Sequence, residues 1–99
     1  MQQLLQEIES RWTTMFTALA GGDDVPPSLR LRAEGLMEAA VLTGAAGAEQ
    51  LDRAMNEHYR QAYGRSLAED FGEDWRGFHP FPQIPAMGLR APVYPGTRD

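Results

Sequence analysis

The chain of 99 residues contains no cysteine and no lysine. Without cysteine it forms no disulfide bonds, thiolate zinc sites or iron–sulfur clusters, and it has no cysteine nucleophile. Small secreted proteins usually depend on disulfide bonds, so the absence of cysteine predicts a cytoplasmic protein. All nine basic residues are arginine. Together with the many alanines and glycines, this favours a bacterial source with GC-rich DNA.

Long apolar runs and an excess of positive charge are also missing. No run approaches the ~20 apolar residues of a membrane-spanning helix. Residues 1–7 lack the basic start and apolar stretch of a secretory signal. The formal net charge is −5 at pH 7, whereas nucleic acids and anionic membranes attract positive surfaces. The sequence therefore predicts a protein that binds neither nucleic acid nor membranes.

Three segments have the spacing of apolar residues that is typical of amphipathic helices. They run from about Gln2 to Ala20, from about Pro27 to Thr43 and from about Ala48 to Tyr63. The first places its seven large apolar residues within an arc of about 120°. Glycines follow all three segments, and glycine readily adopts the left-handed conformation that ends a helix.

The second predicted helix is apolar on two sides. One face consists of Leu29, Ala33, Leu36, Met37, Ala40 and Val41, and the roughly opposite face consists of Leu31, Gly35, Ala39 and Leu42. A helix with two apolar faces needs a neighbour on each of them. We therefore expect either the central helix of the domain or a helix shared between the core and an interface.

The last third of the chain changes in character. Ser66 and Glu69 have the capping-box spacing, which predicts a short fourth helix from Leu67 to between Phe71 and Trp75. Residues 77–99 hold five of the seven prolines, interleaved with large apolar residues. This density of proline excludes helix, and the apolar content is not that of a disordered tail. The sequence predicts an all-α domain of three main helices and a short fourth over residues 1–76. An extended proline-rich arm over residues 77–99 then packs on the helices or on a partner.

No motif in the sequence predicts a catalytic, cofactor or metal site. His58 and His79 have no second histidine at helical spacing, and His58 is expected at the edge of the core. The four carboxylates of residues 69–74 lack the spacing of a calcium loop and are typical of a solvated helix end. The alternative is that these acids, beside Phe71 and Trp75, attract an arginine-bearing partner. We predict a protein that is not an enzyme.

The large apolar side chains exceed what a compact three-helix core of this size needs, which favours a binding surface. We predict a bacterial regulatory or adaptor protein, a homodimer, that acts by protein–protein contact. One example is an inhibitor that covers the dimerisation or ligand-binding surface of a transcription factor. The predicted interface residues are Leu5, Ile8, Trp12, Phe16, Leu31, Leu42, Phe78, Phe81 and Ile84.

Three alternatives stay open at the level of sequence. In the first, the arm covers the first or second helix of its own chain, so that no excess apolar surface is left for a partner. The protein binds a small molecule or a metal in a pocket between the third helix and the arm, lined by Tyr59, Tyr63, His58 and His79. The protein is an accessory subunit of a larger enzyme.

Overall fold

The computed structural model describes residues 2–85, which form five helices and no strand. The helices are α1 (Gln2–Ala20), α2 (Pro27–Leu42), α3 (Ala48–Tyr63), α4 (Leu67–Phe71) and α5 (Trp75–Phe78). The predicted all-α fold class is confirmed. The predicted bounds of α1, α3 and α4 are those observed, and α2 ends one residue earlier than predicted. None of these helices combines the length and apolar character that a membrane-spanning segment requires.

The helix ends follow from local chemistry. At the end of α3, Gly64 adopts a left-handed conformation with φ 77°, and its N–H donates to the carbonyl of Arg60 at 2.7 Å. At the start of α4, the N–H of Glu69 donates to Ser66 Oγ at 3.1 Å, and the N–H of Ser66 donates to Glu69 Oε1 at 2.7 Å. The predicted capping box is therefore confirmed.

Helix α1 lies at the centre of the domain and packs against both α2 and α3, which make little direct contact with each other. Its apolar arc is wide enough to meet two neighbours. The core includes Ile8, Trp12, Met15, Phe16 and Leu19 from α1, Ala33, Met37 and Ala40 from α2, and Leu51, Met55 and Tyr59 from α3. Helix α2 is thus not the central helix, and only one of its two apolar faces contributes to this core.

The first part of the arm packs on the helices of its own chain. Helix α5 ends at Phe78, so the predicted boundary between residues 76 and 77 falls inside a helical turn. The prolines of the arm do not prevent this turn, because the first of them is Pro80, beyond its end. The chain then turns, with the N–H of Gln83 donating to the carbonyl of Pro80 at 2.9 Å and a cis peptide bond before Pro82. The remainder of the predicted arm, residues 86–99, lies outside the described residues.

Candidate functional site

Helix α2 presents an apolar face to solvent. Leu42 is 80% exposed and Leu31 is 57% exposed. With 100° per residue, these two leucines and Gly35 fall within an arc of about 40°, and Ala39 widens it to about 80°. The opposite side of the helix carries its buried residues. We call the surface formed by Leu31, Gly35, Ala39 and Leu42 the outer face of α2.

Charged residues border the outer face of α2 on both sides. Arg32 lies along one edge and Glu38 lies along the other, and both are exposed. Neither forms an ion pair with any residue between positions 2 and 85. Arg30 and Glu34 on the same helix do form an ion pair, with 2.8 Å between Arg30 Nη1 and Glu34 Oε2. An apolar strip between charged edges is the composition of a protein-binding surface, with an apolar centre and a polar rim.

Four of the predicted interface residues belong to the core instead. Ile8, Trp12 and Phe16 are completely buried, and Ile84 is 3% exposed. The three side chains of α1 face the two neighbouring helices, so α1 has no apolar stripe left for a partner. These four residues are therefore removed from the candidate surface.

The other predicted interface residues divide into two groups. Leu5 and Phe81 are half-buried and pack against the core. Leu31, Leu42 and Phe78 are exposed, and Phe78 at the end of α5 is 72% exposed. The candidate surface is accordingly centred on the two leucines of α2, because they share one helix face.

Arg76 forms hydrogen bonds that link the arm to α3. Its Nε donates to Asp52 Oδ2 at 2.9 Å, and its Nη2 donates to Asp52 Oδ1. Its Nη1 donates to the carbonyls of His79 at 2.6 Å and Gln83 at 2.8 Å. The guanidinium carbon lies 4.4 Å from the centre of the Trp75 ring, a cation–π distance. One side chain therefore binds α3 and two points of the arm.

Glu34 forms a hydrogen bond that links the arm to α2. Its buried carboxylate oxygen Oε2 accepts hydrogen bonds from Arg30 Nη1 and from the N–H of Ile84, both at 2.8 Å. A buried carboxylate is stable only when it is paired and hydrogen-bonded in this way. Sequence reasoning missed both Arg76 and Glu34. The only signal was an acidic residue beside Ala33 on the inward side of α2.

A partly buried polar cluster joins α3 to α4. The hydroxyl of Tyr59 donates to Asp70 Oδ2 at 2.6 Å, and Arg65 Nε donates to Asp70 Oδ1 at 2.6 Å. The hydrogen bond from Arg65 is the main reason that the pKa of Asp70 lies below its ordinary value, and the bond from Tyr59 adds to it. Burial, followed by the hydrogen bond to Asp70, raises the pKa of Tyr59 well above 10. The cluster is thus built for an ionised aspartate and a neutral tyrosine.

The lowered pKa of Asp70 predicts a loss of stability in acid. A carboxyl group whose pKa is lower in the folded state contributes stability above its unfolded pKa of about 3.9 and loses it as the pH falls through the folded value. We expect the free energy of unfolding to fall between neutral pH and about pH 3, and to fall less in Asp70→Asn. Urea unfolding at both pH values measures the difference. Equal acid losses in the two proteins would contradict this role of Asp70.

The two histidines lie in separate places. His58 Nδ1 lies 3.1 Å from Thr13 Oγ1 of α1, and its ring centre lies 5.8 Å from that of Trp12. It sits at the edge of the core, as expected. The ring of His79 packs on Phe71 instead, with centres 5.9 Å apart. Within residues 2–85, no three histidine or acidic side chains converge in a way that could hold a metal ion.

The four residues of the predicted ligand pocket do not converge on one site, although its two tyrosines contact each other. Tyr59 is completely buried, and Tyr63 stacks on it with ring centres 4.3 Å apart. His58 turns toward α1 and His79 toward α4, so the structure brings no two histidines together. The pocket between α3 and the arm is therefore not formed by these side chains.

A groove of about 200 Å³ lies between α1 and the start of α2. Its polar lining includes Glu7 and Arg11, which pair with each other at 2.9 Å, and its apolar lining includes Met15 and Leu29. Its two charged groups are paired with each other, and its other polar groups are the hydroxyls of Ser10 and Thr14.

Over residues 2–85, these features define a small all-α domain with an exposed apolar face on α2. Comparisons with family models, with curated proteins and with solved structures find no match to the chain. Its function is therefore inferred from its own surface.

Proposed function

We propose that the chain is a non-enzymatic regulatory or adaptor protein that acts by protein–protein contact, with a second copy of itself as its first partner. The observation that supports this proposal is the exposure of Leu31 and Leu42 on one face of α2. Burying a leucine side chain contributes about 2 kcal/mol. Because Leu31 and Leu42 are already partly covered in the monomer, the four leucines of a symmetric pair supply roughly 5 kcal/mol before the costs of association.

A regulatory role fits a surface of this kind. A rigid helix with an apolar strip and charged edges is suited to pairing with another helix, which is how many small regulators recognise their targets. One form of this role is the inhibition of a transcription factor in the cytoplasm of a bacterium, by covering its dimerisation or ligand-binding surface. The exposed ring of Phe78 offers a second apolar contact at the end of α5.

Removal of the two exposed leucines tests the proposal. The double variant Leu31→Gln with Leu42→Gln is expected to raise the dissociation constant of the dimer by at least about tenfold per leucine. Its fold is expected to be unchanged, because both side chains face solvent. Sedimentation equilibrium of the purified protein over a range of concentrations measures the constant, and circular dichroism monitors the helices.

Leu29→Gln is the matched control for the double variant. Leu29 is also a partly exposed leucine of α2, but it lies about 120° around the helix from the centre of the outer face. We expect this control to dimerise like the parent chain. A parent chain that stays monomeric at every concentration would overturn self-association, and equal weakening by the control would show that the outer face is not the contact.

A further inference from the structure

Among residues 2–85, no contact requires a glycine at position 35, in the middle of α2. Glycine within a helix costs about 1 kcal/mol relative to alanine. Beyond its neighbours and the backbone of its own helix, a Cβ atom built on Gly35 would meet no atom of residues 2–85 within 4 Å, so packing among these residues does not require a glycine. Nor does Gly35 adopt the left-handed conformation that favours glycine, since it lies within the regular turns of α2.

The absence of a side chain at Gly35 does have a consequence outside the domain. It leaves a depression on the outer face between Leu31 and Leu42, which lie about 16 Å apart along the helix axis. Glycine commonly occupies positions where another backbone approaches closely. A second helix that crosses α2 at this depression brings its backbone close to α2 and covers both leucines.

We infer that two copies of the chain pair in parallel through their outer α2 faces, with the two helices crossing at Gly35. This inference rests on the proposed self-association and adds its geometry. The direction of the pairing follows from the two charged edges, formed by Arg32 and Glu38.

In an antiparallel pair, the two-fold axis lies perpendicular to both helices, and each edge of one helix meets the same edge of the other. The Glu38 edge then meets the Glu38 edge of the second copy, and two carboxylates repel each other. In a parallel pair, the axis runs along the helices, and the Glu38 edge of each copy meets the Arg32 edge of the other. The two residues are offset by about 9 Å along the axis, which these two long side chains span together.

Charge complementarity therefore favours the parallel pair. Arg30 and Glu34 do not alter the comparison, because they are bonded to each other within the chain. Opposite charges on facing edges fix register and orientation more than they add to affinity.

Single-cysteine variants test the direction of pairing, because the described chain contains no cysteine of its own to react. In the parallel pair, Leu31→Cys places two thiols at the same height beside the crossing. We expect a short bismaleimide to link them at least about tenfold faster than it links Gln61→Cys, an exposed control position on α3. Thiols held within one dimer have an effective concentration near the millimolar range, well above that of free molecules at micromolar concentration.

A mixture of Leu31→Cys and Leu42→Cys completes the test, with the linked products identified by mass spectrometry. Products that join identical positions support the parallel pair. Products that join position 31 only to position 42 would show an antiparallel dimer. They would overturn the parallel direction but not the self-association. Linking at the rate of Gln61→Cys, in a chain that sediments as a dimer, would overturn the α2 contact. A monomeric parent chain would overturn the proposed function instead.

Discussion

Trp12→Ala is expected to lower the free energy of unfolding by about 3–5 kcal/mol. Trp12 is completely buried in α1, the helix on which both α2 and α3 pack. Truncation to alanine removes the largest side chain of the core and leaves a cavity that the surrounding helices fill only in part. A domain of this size typically has a stability of 5–15 kcal/mol, so the variant is expected to be close to unfolding.

Urea unfolding followed by circular dichroism measures this loss, and Leu42→Ala is the control. Leu42 is 80% exposed, so its truncation is expected to change the stability of the monomer by less than about 0.5 kcal/mol. The measurement is made at a protein concentration where the chain is monomeric. Equal effects of the two substitutions would contradict the placement of Trp12 at the centre of the core.

Trp12→Phe refines the same prediction. The indole Nε1 of Trp12 is buried and has no hydrogen-bond partner among residues 2–85. A buried polar group without a partner costs about 1–3 kcal/mol. Phenylalanine keeps much of the apolar packing and removes this group, so we expect Trp12→Phe to cost clearly less than Trp12→Ala. A phenylalanine variant as unstable as the alanine variant would show that the full size of the indole is what matters.

The bounds of α1 to α4 could be predicted almost to the residue because they depend on neighbours in sequence, whereas α5 was not predicted. Gly64 ends α3 through its own left-handed conformation, and Ser66 begins α4 through a bond to a residue three positions away. The period of apolar residues fixes the inward side of α1 in the same local way. These signals need no knowledge of the rest of the fold.

The identity of the binding surface could be predicted only in part. The sequence shows that α2 has two apolar faces, but only the packing of α1 decides that Ala33 and Met37 are covered and Leu31 is not. The same packing places Trp12 in the core, where sequence reasoning expected an interface. An apolar stripe indicates that a helix face will be covered, and it does not indicate whether the covering element belongs to the same chain.

The polar contacts that hold the arm lay beyond the reach of sequence reasoning. Arg76 pairs with Asp52, 24 positions earlier, and Ile84 donates to Glu34, 50 positions earlier. No local period or spacing links such residues. Sequence reasoning left open whether the arm covers its own helices or those of a partner. For residues 79–85 the structure shows that they pack on their own chain.

Arg76→Ala is expected to lower the free energy of unfolding by about 2 kcal/mol. The substitution removes a two-point bond to Asp52, two bonds to arm carbonyls and a contact with the Trp75 ring. Hydrogen bonds to charged groups contribute about 1.5–3 kcal/mol when buried. The Arg76 and Asp52 side chains are 24% and 23% exposed, so solvent screening reduces the sum.

The loss of stability in Arg76→Ala is expected to be concentrated in the arm. Hydrogen exchange of individual amides distinguishes this local loss from a loss of stability across the whole domain. Without Arg76, residues 79–85 keep the hydrogen bond from the Ile84 N–H to Glu34 and the packing of Phe81 and Ile84 on the core, but lose both bonds from the guanidinium. Exchange of the Ile84 amide is therefore expected to accelerate more than exchange in α1. The control is Arg53→Ala, because Arg53 is an exposed arginine on the same helix as Asp52. It is expected to change neither the free energy of unfolding nor the exchange rate of the Ile84 amide. Arg76→Lys keeps the charge but lacks the planar fork that spans Asp52 and the two carbonyls, so it is expected to restore only part of the protection. Uniform acceleration across α1 and the arm would mean that Arg76 supports the whole domain rather than the attachment of the arm.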